Sequence, residues 1–449
     1  MLKKDLARAV ALNLRATALS GGVARGLLAA SFICAGSFGV MPMAASAAVY
    51  TPGLITDTDA AVVVWGQHLF EEGEYTISNA NNNTLNVTVG DTGLIRINNG
   101  EKLVVNGNLN IHQQGLSSIY TFGQQVEKGG EMVINGDFYW LNDISSHVNG
   151  ALRENFNVAG RADFNGSVTM IDDNDSIPSP SQTTFQAIDG GLINVAGDAY
   201  IYNRVGNYIT SGANAVYVKN GGIINFNGNT TRIMAVSNEP DAISAKNDTS
   251  HALSKTQVNI NSKTTQILGS IDLAGFGSVN AVLSGKDSYW YGDEKNAGYS
   301  IFPTTGTLNI TVKDGAEWGY FGDSSHYSQG KGVTALTLES GGIVNLYDDY
   351  LKQEWHNYGL DSVYSSINNV KHDYVYIGNL KGQDGIFQLD LNSSDKSQSD
   401  MIYIKNATAG TGEHSIQAYA TDDFSAISAD NTLRFATVGA GAANKITFK

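Results

Sequence analysis

An all-β chain wound as a parallel β-helix is the fold class this sequence predicts. Three observations predict it. First, short runs that alternate apolar and polar residues follow one another, each closed by Gly, Asn or Asp, with no helical interval between them. Second, a Gly-Gly theme, followed by apolar-leaning positions, Asn and a later Gly, recurs at the period of roughly 20–50 residues that marks solenoids. Third, the chain has 50 glycines, only 6 prolines and 42% hydrophobic residues. That balance excludes collagen, which needs strict triplets and much proline, and it disfavours disorder.

Residues 1–47 read as an export signal. A basic segment carries Lys3, Lys4, Arg8, Arg15 and Arg25 against a single acid, Asp5. It leads to the apolar run Gly26–Val40, then Met41-Pro42, then the small-residue site Ala45-Ser46-Ala47. Cleavage is expected after Ala47, with Ala48 as the neighbouring alternative. The apolar run is too short and too rich in Gly and Ser for a stable membrane span. The single cysteine, Cys34, lies inside this leader, and Ile33 before it does not suit a lipoprotein site. The mature chain is therefore expected to have no disulfide and no cysteine-based metal site.

The formal net charge is −15, and removal of the basic leader makes the remainder −19. No basic stripe survives to neutralise phosphates, so nucleic acid is excluded as a partner. Acidity on this scale favours solubility and mutual repulsion.

Residues 48–286 read as coils. The Gly-Gly theme occurs as GGEMVINGDFYW (129–140), GGLINVAGDAYI (190–201) and GGIINFNGNTTRI (221–233). Fainter copies are NGEKLVVNGNLNI (99–111) and NFNVAGRADF (155–164), and NTTRIMAVS (229–237) echoes SKTTQILGS (262–270). The glycines taken as equivalent are Gly107, Gly136, Gly160, Gly197 and Gly228. Irregular spacing argues against propeller blades, whereas a β-helix absorbs it because a turn can swell without disturbing the stack. Inward positions are expected to be Val, Ile, Leu or Phe, and outward ones Asn, Thr, Ser or Asp. Val133 and Ile134 lead into Asn135-Gly136, a corner where positive φ is cheap for Gly and tolerable for Asn. Corner asparagines are expected to stack their amides in a ladder. At about 24 residues per coil, the chain would make about 16 coils. Three inserts read as loops: 171–182, 236–255 and 348–373.

Residues 287–449 carry the most specific pattern. Ala316 and Trp318 are followed by Ser324-Ser325, the alternating Leu336 and Leu338, and Gly341-Gly342. Then come Leu380, Gly382, Gly385, Phe387 and Leu389 in Leu-x-Gly-x-x-Gly-x-Phe-x-Leu spacing. Asp390, Asp400, Ile402, Ile404 and TGEHSIQAY, with His414, complete it. From Ala316 to Tyr419, order, spacing and residue types resemble the end of the pertactin-like passenger of bacterial autotransporters. DSYWYGDEKNAGY (287–299) fits the same style, and the long basic leader resembles the extended signals of some large autotransporters.

The resemblance implies a right-handed β-helix exported by type V secretion to the outer membrane surface or beyond it. It implies an adhesin or virulence-type surface protein whose last coils, an autochaperone-type segment, fold first. Trp318, Gly341, Gly342, Leu380, Gly382, Gly385, Phe387, Leu389, Asp400 and His414 would form that folding nucleus. The implied partner is an outer-membrane translocator barrel, and no series of barrel strands occurs in these 449 residues. Host or bacterial surface glycans or proteins are the implied ligands. A β-helical carbohydrate-active enzyme and a non-adhesive or truncated passenger are the alternatives.

The search for chemistry yields little. Asp172, Asp173 and Asp175 form the densest acidic cluster, but they lack the Gly and distal Glu of an EF-hand loop and read as a solvated loop. Gly322-Asp323-Ser324-Ser325 resembles a nucleophile turn without the His and Asp of a preceding protease domain. The eight histidines form no ligand pair at useful spacing beyond the weak His356/His372 loop, and no Walker or dinucleotide fingerprint occurs. The chain is expected not to be an enzyme and to use no cofactor or metal. Tyr350, Trp355, Tyr358 and Tyr364, with Tyr347 nearby, make an aromatic segment that can grip a sugar or protein, or cap the coil stack.

Overall fold

The structure, a computed structural model, describes residues 48–59, 68–89, 95–113, 121–142, 153–174, 181–205, 212–236, 240–251, 254–296, 306–320, 333–347, 373–423 and 433–449. These residues form a parallel β-solenoid. Three long sheets of 14, 13 and 8 strands run along it, and a two-stranded sheet pairs Ala48–Tyr50 with His68–Phe70. The 14-stranded sheet begins at Gly53–Ile55 and ends at Ala436–Gly441. The 13-stranded sheet runs from Thr84–Val89 to Thr447–Phe448, and the 8-stranded one from Arg96–Ile97 to Glu294–Asn296. Paired strands are parallel and come from successive turns of the chain, so the backbone hydrogen bonds of each rung lie along the axis.

The strands form because alternation is kept at every rung. Thr307–Lys313, TLNITVK, buries Leu308, Ile310 and Val312 and turns Asn309 and Thr311 outward. One continuous apolar core results, from Ile55 to Ala442. Phe138, Phe156, Phe164, Phe185 and Phe226 stack within it at centroid distances of 5.3–6.2 Å. At the predicted corner the core residues are Met132 and Ile134, while Val133 is half-buried on the outer side.

The Gly-Gly theme has two separate physical causes. Its first glycine needs positive φ: +84° at Gly129, +90° at Gly190, +89° at Gly221 and +76° at Gly341. Its second glycine sits against the previous rung. A Cβ would lie 1.9 Å from the Val158 carbonyl oxygen at Gly191, 2.0 Å from that of Ala187 at Gly222 and 2.2 Å from that of Val312 at Gly342. Asp189, Asn220 and Ser340, which precede the pair, also take positive φ.

A second glycine column corrects the repeat. The equivalent residues are Gly107, Gly136, Gly166, Gly197 and Gly228, with Gly166 in place of Gly160. In each successive rung a Cβ would lie 2.1–2.3 Å from the glycine carbonyl oxygen below. The column spacing is then nearly constant at 29 to 31 residues. Gly160 belongs to a different corner, over the Gly130 carbonyl. Close approach explains Gly136, which is not among the positive-φ residues. Rungs in this column are therefore longer than 24 residues, although Val258 to Val279 spans only 21, and the longest sheet has 14 strands where about 16 coils were expected.

Amide ladders lie both at corners and within strands. At the corner, Asn165 donates to Asn135 (2.6 Å), Asn135 to Asn106 (2.6 Å) and Asn106 to Glu74 (2.8 Å). On the outer face of the 14-stranded sheet, Asn309 donates to Asn280, Asn280 to Asn259, Asn259 to Asn225 and Asn225 to Asn194, at 2.8–2.9 Å. Asn194 then donates to the Asp163 carboxylate at 2.7 Å. The echo between 229–237 and 262–270 is a true rung pair, with Thr230 opposite Thr264 and Ile233 opposite Ile267. Two of the expected loops are partly ordered as strand. Val168–Asn174 and Ser181–Ile188 enter 171–182 from either side, and Pro240–Lys246 with the short 3₁₀ turn Thr249–His251 occupies much of 236–255.

Adding a methyl group in the glycine column tests the close approach. Gly166→Ala places Cβ 2.3 Å from the Gly136 carbonyl oxygen. It should cost about 1–3 kcal/mol through overpacking, read as a lower urea midpoint with an unchanged slope.

Candidate functional site at the C-terminal rungs

The motif residues of the C-terminal segment converge on the last rungs. Trp318 pairs in register with Trp290 before it and Val344 after it, and Val344 pairs with Phe387, which pairs with Ile416. The two indoles are fully buried and stacked, with centroids 4.9 Å apart and planes 3° from parallel. Each indole N–H donates to a glycine carbonyl one rung back, Trp290 to Gly269 (3.1 Å) and Trp318 to Gly292 (3.4 Å). Tyr320 meets Trp318 edge-on at 5.7 Å. Leu380, Phe387 and Leu389 have no exposed surface.

The glycines of this segment follow the logic of the body. Gly341 and Gly382 take φ of +76° and +89°. Gly385 is held by packing, since a Cβ would lie 2.2 Å from Leu338 Cγ and 2.9 Å from His414 Nδ1. His414 is completely buried beside Phe387, whose ring centroid is 5.9 Å away at 70°. Neither ring nitrogen completes a hydrogen bond of normal geometry, although the Gly382 carbonyl lies toward the ring. Burial pushes the imidazole below its ordinary pKa, and Asp384 opposes this only in part.

Asp400 is an internal cross-link. It is 1% exposed, and its carboxylate accepts the Asp373 N–H at 2.8 Å and the Asp390 N–H at 2.6 Å. One side chain thus ties the start of Tyr374–Lys381 to the strand Ile386–Leu391.

The expected acidic cluster is split. Asp172 is fully buried on the side of Val168 and Met170 and accepts from Asn142 Nδ2 (3.2 Å). Asp173 faces the other way and pairs with Arg204 at 2.5 Å. Period-two alternation separates the two carboxylates, and Asp175 lies outside the described residues. Among the described residues no group of three His, Cys, Asp or Glu side chains could hold a metal ion, and no helix is long and apolar enough to cross a membrane.

Ala47, Phe321, Ser324, Ser325, Tyr350, Trp355, Tyr358, Tyr364, His356 and His372 lie outside the described residues, whereas Ala48 opens the first described strand. Tyr347 is described. It stacks on Tyr419 at 4.0 Å with planes 5° apart, so here an aromatic joins two rungs.

Sequence reasoning missed one feature, a second apolar cluster outside the core. Ile171, Tyr202, Met234, Leu268 and Tyr291 are buried in register on the outer face of the 13-stranded sheet, with Tyr139, Tyr200 and Tyr289 packed against them. Burial pushes the Tyr200 phenol up to about 12, against a partial opposing pull from Arg232, whose guanidinium lies 5.8 Å from the ring centroid. The signal was legible in Tyr200-Ile201-Tyr202 and Tyr289-Trp290-Tyr291, where two tyrosines flank an inward residue.

No family model, no curated protein and no solved structure matches this chain.

Removing the Asp400 cross-link should loosen one end only. Asp400→Ala leaves two buried N–H groups without acceptors and should cost about 2–4 kcal/mol. Amide hydrogen exchange at Asp373 and Asp390 should accelerate, while exchange in the rungs of Trp140 stays unchanged.

Proposed function

We propose that this chain is the passenger of an autotransporter-type protein, exported to the bacterial outer membrane surface and serving there as an adhesin. The observation that carries this reading is the coherence of the C-terminal motif. Trp318, Gly341, Gly342, Leu380, Gly382, Gly385, Phe387, Leu389, Asp400 and His414 each occupy a stacking, packing or cross-linking position in the last rungs. A preformed end is what a parallel stack needs, because each rung gains its hydrogen bonds from a neighbour that is already folded. Outside the cell no ATP is at hand, and folding from this end would help to draw the rest of the chain outward.

The adhesive role rests on the resemblance and on the rod-like body, which holds outward loops on a rigid support. The rival reading as a carbohydrate-active enzyme needs carboxylates gathered on one flank, and the opposed Asp172 and Asp173 lend it no support. The translocator barrel and the glycan or protein ligand of the passenger belong to this proposal.

Surface display tests it. The chain is fused in frame to a type V barrel and produced in a Gram-negative host. Intact cells are treated with protease to report the displayed fraction. Trp318→Ala and Phe387→Ala should reduce display several-fold more than Trp140→Ala, an equally buried change in an N-terminal coil. Equal losses, or an undisplayed wild-type chain, would sink the reading.

A further inference from the structure

Among the described residues His414 is the one buried histidine. Its ring has no exposed surface and no completed hydrogen bond at either nitrogen. It stands between the strand Ile386–Leu391 and the final strand Thr447–Phe448, at the end of the 13-stranded sheet. Phe387 closes one side, and Phe448 packs on Phe387 at 6.1 Å. Gly385 lies between Leu338 and Nδ1 so closely that no side chain fits there, Leu338 being the nearer obstacle. The site holds a neutral imidazole as an apolar filler, and the Gly382 carbonyl toward the ring and the more distant Asp384 offset the burial of an imidazolium only in part.

We infer that His414 is an acid-operated latch: a proton on its ring releases the terminal strands Glu413–Ala420 and Thr447–Phe448 from the stack, while the rungs before them stay closed. The latch stands on the geometry of these rungs and is independent of the passenger reading.

The opening breaks the ladder of six register pairs from Ile386 opposite Ser415 to Leu391 opposite Ala420, together with the bonds nearest the ring. Ser415 N donates to the Gly385 carbonyl (2.8 Å), Ile416 N to the Lys449 carbonyl (2.9 Å) and Lys449 N to the His414 carbonyl (3.0 Å). The final strand adds only Glu413 opposite Thr447 and His414 opposite Phe448. The elements packed around the ring carry several charged groups, of which Asp384 acts on the imidazole. Asp384 lies on the turn before Ile386–Leu391, and its N–H donates to the Glu413 carbonyl at 2.8 Å. Glu413, on the same strand as His414, is paired with Lys449 at 2.5 Å. Asp390 is on the facing strand, Glu339 borders Gly382, and Asp400 is held by two backbone donors. Asp384 is the carboxylate that favours the charged ring, and an imidazolium that leaves its cavity turns toward it.

The direction with pH follows from burial, which depresses the folded pKa of the ring. The stability of the neutral, packed ring is therefore complete above the unfolded value near 6.5 and is lost as pH falls below it.

Hydrogen exchange read by mass spectrometry on the full chain, corrected for intrinsic rates, tests the latch between about pH 7.5 and about pH 5.5. Protection at Ser415, Ile416 and Lys449 should fall by about tenfold at the lower pH in the wild type. Protection in the Trp290 and Trp318 rungs should hold. His414→Leu, which fills the cavity without titrating, should abolish the fall. His414→Gln serves as a second non-titrating variant should the leucine prevent folding. A fall of equal size in a non-titrating variant overturns the latch, as does unchanged wild-type protection or a loss spread evenly along the solenoid.

Discussion

The structure depends on one constraint, that every rung obtains its backbone hydrogen bonds from the rungs above and below it. A strand such as Met401–Ala407 has no partner within its own turn, and it pairs with Tyr374–Lys381 on one side and Ala436–Gly441 on the other. The strand spacing of about 4.8 Å then applies at corners as well as in sheets. At corners the backbone turns, and carbonyl oxygens of one rung meet the Cα atoms of the next. Only glycine fits at Gly136, Gly166, Gly197 and Gly228 for that reason. The glycine content is thus a consequence of stacking and does not mark flexibility.

The same constraint gives the outer surface a direction. In both long asparagine ladders each amide donates toward the N-terminal rung, so the side-chain dipoles align along the axis. Each ladder ends on a carboxylate, Glu74 in one and Asp163 in the other. A short third ladder, Asn110 to Asn86, ends on Asp59 in the same sense. The negative group stands where the aligned donors leave their positive end, which is the arrangement that electrostatics favours. Arg161 pairs with Asp163 at 2.8 Å and balances the charge that terminates the longer ladder.

The period-two alternation and the Gly-Gly theme made the fold legible, because both follow directly from stacking. Gly160 was misassigned because Ala159-Gly160 and Asn165-Gly166 lie only six residues apart, and local spacing cannot say which corner a glycine serves. The rungs proved longer than expected because strands continue through segments that composition marks as loops, such as Asp172–Asn174 and Pro240–Lys246. A polar residue there reads as solvent-exposed, yet Asp172 and Asp241 are buried. The C-terminal motif was legible as a list of residues, but the task of each was not. The contact of Gly385 with His414 and the two N–H groups held by Asp400 join residues 10 to 29 positions apart, and they become visible only once the register is known.

Register also explains why the motif behaves as one packing unit. The column Trp290, Trp318, Val344, Phe387 and Ile416 passes from two indoles to smaller groups toward the end of the rod. The large rings give the earlier rungs much contact area, and the last rungs must compensate with specific links. Asp400 and the Tyr347–Tyr419 stack supply these links. Gly385 leaves room for both Leu338 and His414, since a side chain there would press on the first and then on the second. A histidine enclosed in this way contributes volume while neutral and strain once charged. The end of the solenoid is therefore the place where a change of one proton can alter stacking without disturbing the core behind it.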